Sequence, residues 1–282
     1  MRLPTYFISH GGGPWPWIKD MMPGDMSHLE ASLQAIPGEI GVTPRAVLVV
    51  SGHWETAEFT VQTHPRPPML YDYGGFPEFT YRIQYPAPGE PAVAARVVQL
   101  LETAGVTTRT DADRGFDHGV FAPLYVTYPD ADVPIVQLSI RADFDPAAHL
   151  AAGRALAPIR DENVLIVASG LPSYHNLSRF GPGAAEPSRQ FDQWLTETLV
   201  DHTGAERDRR LEAWADAPSA RLSHPREDHL IPGLVAVGAA DDEPGFVQYH
   251  EAAFMGGVTS SSYRFGTAVP AGDARLDSAA AP

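Results

Sequence analysis

The run Ala46-Val-Leu-Val-Val-Ser-Gly-His53-Trp54 constrains the chain most. It is short, apolar and β-branched, and it stops at a small-residue step before a histidine and a tryptophan. A central strand buried on both faces of an α/β sheet reads this way. The histidine and tryptophan then lie at the strand's carboxyl end, where open α/β sheets bind ligands. The pattern recurs. Pro4-Thr-Tyr-Phe-Ile-Ser9 ends at His10, and Asn163-Val-Leu-Ile-Val-Ala-Ser-Gly170 soon leads to His175. One histidine after a strand is ordinary. Three at equivalent positions point to a single site, and to a metal site.

The rest of the chain alternates strand and helix patterns. Apolar residues at Met26, Leu29, Leu33 and Ile36 predict a core-facing helix over 26–36, with His28 on its solvent face. Phe59–Thr63 reads as an antiparallel or edge strand. Val93, Ala94, Val97, Leu100 and Leu101 form the apolar face of a helix over 90–104, which Gly105 ends. Strands are expected at 107–111, 133–140 and 164–170, and helices at 146–156, 189–200 and 207–214. A buried helix comes after the polar stretch 224–229, and two late strands, read as an antiparallel pair, cover 245–249 and 258–266. The expected fold is one α/β sandwich: a central mixed β-sheet flanked by helices on both faces. Residues 1–269 are expected to form a single catalytic domain. The stretch 270–282, rich in Ala, Pro, Gly and Asp, reads as a mobile tail.

Composition removes several classes of function. The 282 residues contain no cysteine, which excludes disulfides, thiolate metal sites and cysteine nucleophiles. Any metal must take nitrogen and oxygen ligands. The net charge is −15 and no Lys/Arg cluster stands out, which argues against a nucleic-acid partner. No apolar run is long enough for a bilayer, and the amino terminus lacks the features of a secretory signal. A cytoplasmic protein with no membrane partner is the expectation.

Four loops carry the candidate chemistry. His10-Gly-Gly-Gly-Pro-Trp15-Pro-Trp17 joins a ligand to a backbone that can turn sharply beside flat apolar walls. It lacks the Lys-Ser/Thr of a phosphate loop. The long loop 65–88 carries Tyr71, Asp72, Tyr73, Phe76, Tyr81 and Tyr85, and suits a flat aromatic ligand. Asp117-His118-Gly119 opens a helix, and His224-Pro-Arg-Glu227-Asp228-His229 opens another. Two ligands are then His10 and His53, and a third comes from His229, Glu227 or Asp228. Three ligands leave coordination positions open, the mark of a catalytic metal. His175 can serve as a general acid and base, and His118 can hydrogen-bond a substrate. His64, His149, His202 and His250 have no such context.

Nine short motifs, in order, resemble the class III extradiol ring-cleaving dioxygenases, in particular their DOPA-4,5-dioxygenase-like branch. They are His10-Gly-Gly-Gly-Pro, Ser51-Gly-His53-Trp54, Asp72-Tyr-Gly-Gly-Phe-Pro77, Tyr85-Pro-Ala-Pro-Gly89 and Gly115-Phe-Asp-His118-Gly119. Pro134-Ile-Val-Gln-Leu-Ser139, Ala168-Ser-Gly170, His175-Asn-Leu177 and Pro225-Arg-Glu-Asp-His229-Leu-Ile-Pro232 complete the series. The resemblance covers residues 4–239. It implies that His10, His53 and His229 hold the metal, that His175 is the acid/base, and that His118 touches the substrate. It implies Fe(II) for activity, with Zn(II) able to occupy the site in a purified sample, and a small aromatic diol and O2 as partners. Trp15, Trp17, Tyr71, Tyr73 and Asp117 are the expected substrate contacts. Three departures lie near the inferred pocket: Gly-Gly-Gly-Pro-Trp after His10, Tyr71 where many relatives have histidine, and Ser-Gly-Leu-Pro-Ser before His175. They leave the identity of the diol open, as are the cleavage position and the choice between monomer and homodimer. A Zn(II) hydrolase using the same three histidines is the alternative reading. A binding protein that has lost activity is a third, and His175 argues against it.

Overall fold

A computed structural model describes residues 1–268, so the expected tail from 270 onward lies outside the described residues. In chain order the elements are β1 Thr5–Ser9, α1 Ser27–Ile40, β2 Ala46–Thr56, β3 Phe59–Gln62, α2 Pro91–Thr103 and β4 Thr108–Asp111. Next come α3 His118–Thr127, β5 Ile135–Arg141, α4 Pro146–Leu156, β6 Val164–Gly170 and α5 Ala185–Val200. The last are α6 Gly204–Glu212, α7 Ala220–Ser223, α8 Pro232–Ala240, β7 Gly245–Phe254 and β8 Val258–Phe265. Short 3-10 turns punctuate the loops.

The strands form one mixed sheet in the order β4-β3-β5-β2-β6-β1-β8-β7. Its centre, β5-β2-β6-β1, is parallel. Antiparallel pairs β3/β5, β1/β8 and β8/β7 extend it on both sides. The central strands read as continuous apolar runs because each face carries its own core. Ala46, Leu48 and Val50 of β2 join Val164, Ile166 and Ala168 of β6 under α2, α4, α5 and α8. Val47 and Val49 join Leu165 and Val167 beneath α1 and α3 on the other face. Both α3 and α8 are apolar around most of their circumference and almost wholly buried, as such helices must be.

The structure extends or adjusts some expected boundaries. Helix α1 runs one turn beyond 36, through Pro37, because Ile40 continues the buried stripe and Gly41 closes the helix at φ +67°. β3 is antiparallel to β5 but is not an edge, since β4 pairs outside it. Among the described residues, no helix is long and apolar enough to cross a membrane.

Candidate active site

Three neighbouring strands, β2, β6 and β1, end side by side, and each end delivers a histidine. His10 comes directly after β1, and its backbone N–H donates to the Gly170 carbonyl at the end of β6 (3.0 Å). His53 lies near the end of β2, where the register against β5 shifts between Val50 and Glu55. A bulge of this kind re-aims a side chain at a strand end. His175 lies five residues past Gly170, its N–H held by the Ser223 carbonyl (2.9 Å). His118 opens α3, and His229 sits three residues before α8.

Close backbone packing brings the 228–229 segment onto these strand ends. A Cβ at Gly52 would stand 2.6 Å from the Asp228 carbonyl oxygen, and one at Gly170 2.2 Å from that of His229. Only glycine permits either approach. The Leu171 N–H then donates to the His229 carbonyl (3.2 Å).

The result is a cluster of imidazoles. His53 Nε2 lies 3.3 Å from His10 Nε2 and 3.1 Å from His229 Nε2. Two carboxylates fix the rings. Asp72 reaches His53 Nδ1 (3.2 Å) through one oxygen and His118 Nδ1 (2.8 Å) through the other. Asp228 reaches His229 Nδ1 (3.0 Å) and His175 Nδ1 (3.5 Å) in the same way. At His53, His118 and His229 these partners place the ring proton on Nδ1 and leave Nε2 as a lone-pair acceptor. Two acceptors 3.1 Å apart cannot hydrogen-bond each other. A metal cation held by these imidazoles would use both lone pairs. The donor set therefore fits a metal, and carboxylate–histidine pairs are the usual support of one.

The charge states agree with this. Burial, reinforced by the neighbouring imidazoles, holds His10 and His229 well below the ordinary histidine value, so both are neutral, the form that ligates. Burial also depresses His53, but Asp72, Asp117 and Asp228 outweigh it and raise its pKa. Burial would raise the carboxyls of Asp72 and Asp228, yet the adjacent imidazoles of His118 and His53, and of His175 and His229, hold them far below the usual range. Burial and the nearby His53 keep His118 neutral.

A cavity of about 590 Å³ opens over this centre. His10, His53, His118, His175, His229 and Asp72 form its polar part, with Tyr73 beside them. A groove of about 680 Å³ lies between α5 and β7, but its Asp192 and His250 are bonded to Ser173 and Ser261 and no histidine cluster reaches it. The cavity over the histidines is therefore the candidate site.

Four of the five expected substrate contacts do not line this cavity. Trp15 is fully buried, and its Nε1 donates to the His10 carbonyl (2.8 Å), so it braces His10 from behind. Trp17 packs on Tyr125, with ring centroids 4.4 Å apart, outside the cavity. Tyr71 donates its hydroxyl to the Ile83 carbonyl (2.6 Å) and packs within its own loop. Asp117 is fully buried and accepts from Ser51 (2.8 Å), Arg114 (2.8 Å) and Gln137. Arg114 in turn donates to the His53 carbonyl (3.0 Å), so Asp117 secures the end of β2. Of the five, Tyr73 lines the cavity. Glu227 pairs with Arg221 (2.9 Å) and stands apart from the cluster.

Two functional groups escape assignment from the sequence. There Asp72 is only a motif residue and Asp228 only one possible ligand, whereas in the fold each orients a pair of histidines. Asp228 carries a local signal, being adjacent to His229. Asp72 carries none, since His53 and His118 lie 19 and 46 residues away in sequence.

Comparisons with known proteins give the same picture. The family described as the catalytic LigB subunit of aromatic ring-opening dioxygenase matches residues 6–266. A relative named Dioxygenase tasH, from Hapsidospora irregularis, is 38% identical over 261 residues, covering 85% of this chain and 79% of that one. The 4,5-DOPA dioxygenase extradiol of Beta vulgaris is 37% identical over 265 residues, covering 93% and 96%. Its namesake from Escherichia coli (strain K12) is 36% identical over 273 residues, covering 94% and 95%. The crystal structure of uncharacterized protein JW3007 from Escherichia coli K12 superposes with a TM-score of 0.71 at 30% identity, over 94% of this chain and 100% of that one. The chain belongs to the family of catalytic LigB subunits of aromatic ring-opening dioxygenases, and it is an extradiol ring-cleaving enzyme.

Proposed function

We propose that residues up to 269 act as one catalytic domain that opens a catechol ring with O2 at an Fe(II) held by His10, His53 and His229. The observation that supports this reading is the convergence of three imidazole Nε2 atoms, with that of His53 3.3 Å from His10 and 3.1 Å from His229, and aspartates beside two of the three rings. When bound, the metal supplies Lewis acidity toward the two catechol oxygens and redox chemistry toward O2.

The chain's own groups move the protons. His175 has its Nδ1 turned to Asp228, which leaves Nε2 for the substrate. It takes a proton from a catechol hydroxyl, and Asp228 stabilises the imidazolium that forms. The same proton is returned when the ring opens. His118, neutral and anchored through Nδ1 to Asp72, presents Nε2 as an acceptor for a substrate hydroxyl. Tyr73 forms the adjoining wall. Its hydroxyl donates to the Thr80 carbonyl (2.7 Å), and burial pushes its pKa up to about 12, so it stays neutral and does not compete as a base. The relatives named for DOPA support a catechol substrate for this chain.

Replacing each ligand in turn tests the assignment. His10→Ala, His53→Ala and His229→Ala should each lose stoichiometric iron after reconstitution, measured by elemental analysis. Full iron occupancy in any of the three would remove that residue from the ligand set.

A further inference from the structure

The cavity divides sharply by chemistry. Apart from Tyr73, its ionisable side chains are five histidines and Asp72, all drawn into the cluster described above. Tyr73 has its hydroxyl committed to Thr80. The remaining side chains are apolar and include Ile18, Met22, Phe76, Leu171, Leu177 and Met255. Among the described residues lining it there is no lysine or arginine.

The volume, about 590 Å³, is of the size that takes a drug-sized ligand and exceeds what one catechol ring fills. With the ring's two oxygens at the histidines, whatever the ring carries must lie against the apolar wall. Met22 and Met255 both lie over Gly12, and Met255 reaches there from the turn between β7 and β8. Thioether side chains adapt their shape to an apolar guest. At the mouth, Met21 is 63% exposed and Leu177 71% exposed, so the apolar lining continues to solvent.

A carboxylate or ammonium on the ring would find no counter-charge on this wall. Burying an unpaired charge is expensive. The chain's net charge of −15 also disfavours the approach of an anion.

We infer that this cavity selects catechols bearing an uncharged, apolar ring substituent over catechols bearing a carboxylate or an amino-acid group. The inference rests on the catechol reading above and names the class of catechol. The selectivity is carried by Met22, Met255, Phe76, Leu171 and Leu177.

The test is titration calorimetry under nitrogen on the Fe(II)-reconstituted protein, with aerobic turnover measured in parallel. The probes are catechol, 4-ethylcatechol, 4-butylcatechol, 3-(3,4-dihydroxyphenyl)propionate and DOPA. Affinity should rise about threefold to fourfold per added methylene from catechol to 4-butylcatechol. The propionate and DOPA should bind at least about tenfold more weakly than 4-butylcatechol. In Met255→Ala and Met22→Ala the affinity ratio of 4-butylcatechol to catechol should fall by about threefold or more. Equal or tighter binding of the propionate or DOPA would overturn the inference, even if every catechol were cleaved. If the affinities run in the predicted order but no catechol is cleaved, the cavity's preference stands and the ring-opening reading fails.

Discussion

Each aspartate at the centre faces two histidines, so under the proposed roles one carboxylate would couple the metal to the proton chemistry. Asp228 links His229 to His175, and Asp72 links His53 to His118. This gives separable predictions. His175→Ala should retain iron, because it removes no ligand, and should lose about 10²–10⁴-fold in turnover. Near-full activity would remove its acid/base role. Asp228→Asn should weaken both functions, with metal affinity falling about 10–100-fold in competition with a chelator. Unchanged affinity would mean that the carboxylate does not orient His229. The histidines themselves are legible in the sequence because each lies at or past a strand's end or at or just ahead of a helix. The aromatic contacts are not. Trp15 and Tyr71 sit in the right loops, but a loop position does not reveal which side of the backbone a ring faces. The same holds for the methionines: Met255 and Met22 are 233 residues apart in sequence, so no local pattern joins them.

At the scale of elements, the site depends on three parallel strands ending together and on one loop pressed against them. The parallel core is legible because strands buried on both faces are apolar throughout, and the helices between them show clear periodicity. The loop's close approach is not, since nothing near Gly52 or Gly170 in sequence announces the 228–229 backbone. Gly170→Ala tests that contact. Its methyl would meet the His229 carbonyl at 2.2 Å, inside any real contact distance, and backbone cannot swing aside as a flexible side chain can. The variant should lose iron affinity at least about tenfold and melt at a lower temperature, as the displaced ligand and the overpacked backbone require. A variant with native melting and native iron affinity would show that the loop is not fixed by this contact.

The whole molecule stores some of its stability in buried neutral histidines away from the site. His149 is fully buried, and its Nδ1–H donates to the Asp145 carbonyl (2.7 Å) while Nε2 accepts from the Arg141 N–H (3.1 Å). A second proton has no place there, and burial lowers the pKa to about 4. Above about pH 6.5 neither the folded nor the unfolded state binds that proton, and the contribution is complete. As the pH falls from about 6.5 to about 4, the unfolded chain takes up the proton and the folded chain does not. Stability then drops by about 1.4 kcal/mol per pH unit, or about 3 kcal/mol in all, and the loss stops below the folded pKa. Urea unfolding of the protein and of His149→Gln at pH 7 and pH 4 checks this: the variant should lose less over that interval by about the same amount, whereas equal losses would contradict it. The central claim concerns the reaction, and turnover under ¹⁸O2 tests it most directly. Fe(II)-reconstituted protein given 4-butylcatechol should consume one O2 for each ring opened, and the fresh product should carry label from both oxygen atoms. Product formed without oxygen uptake, or opened without label, would contradict the account.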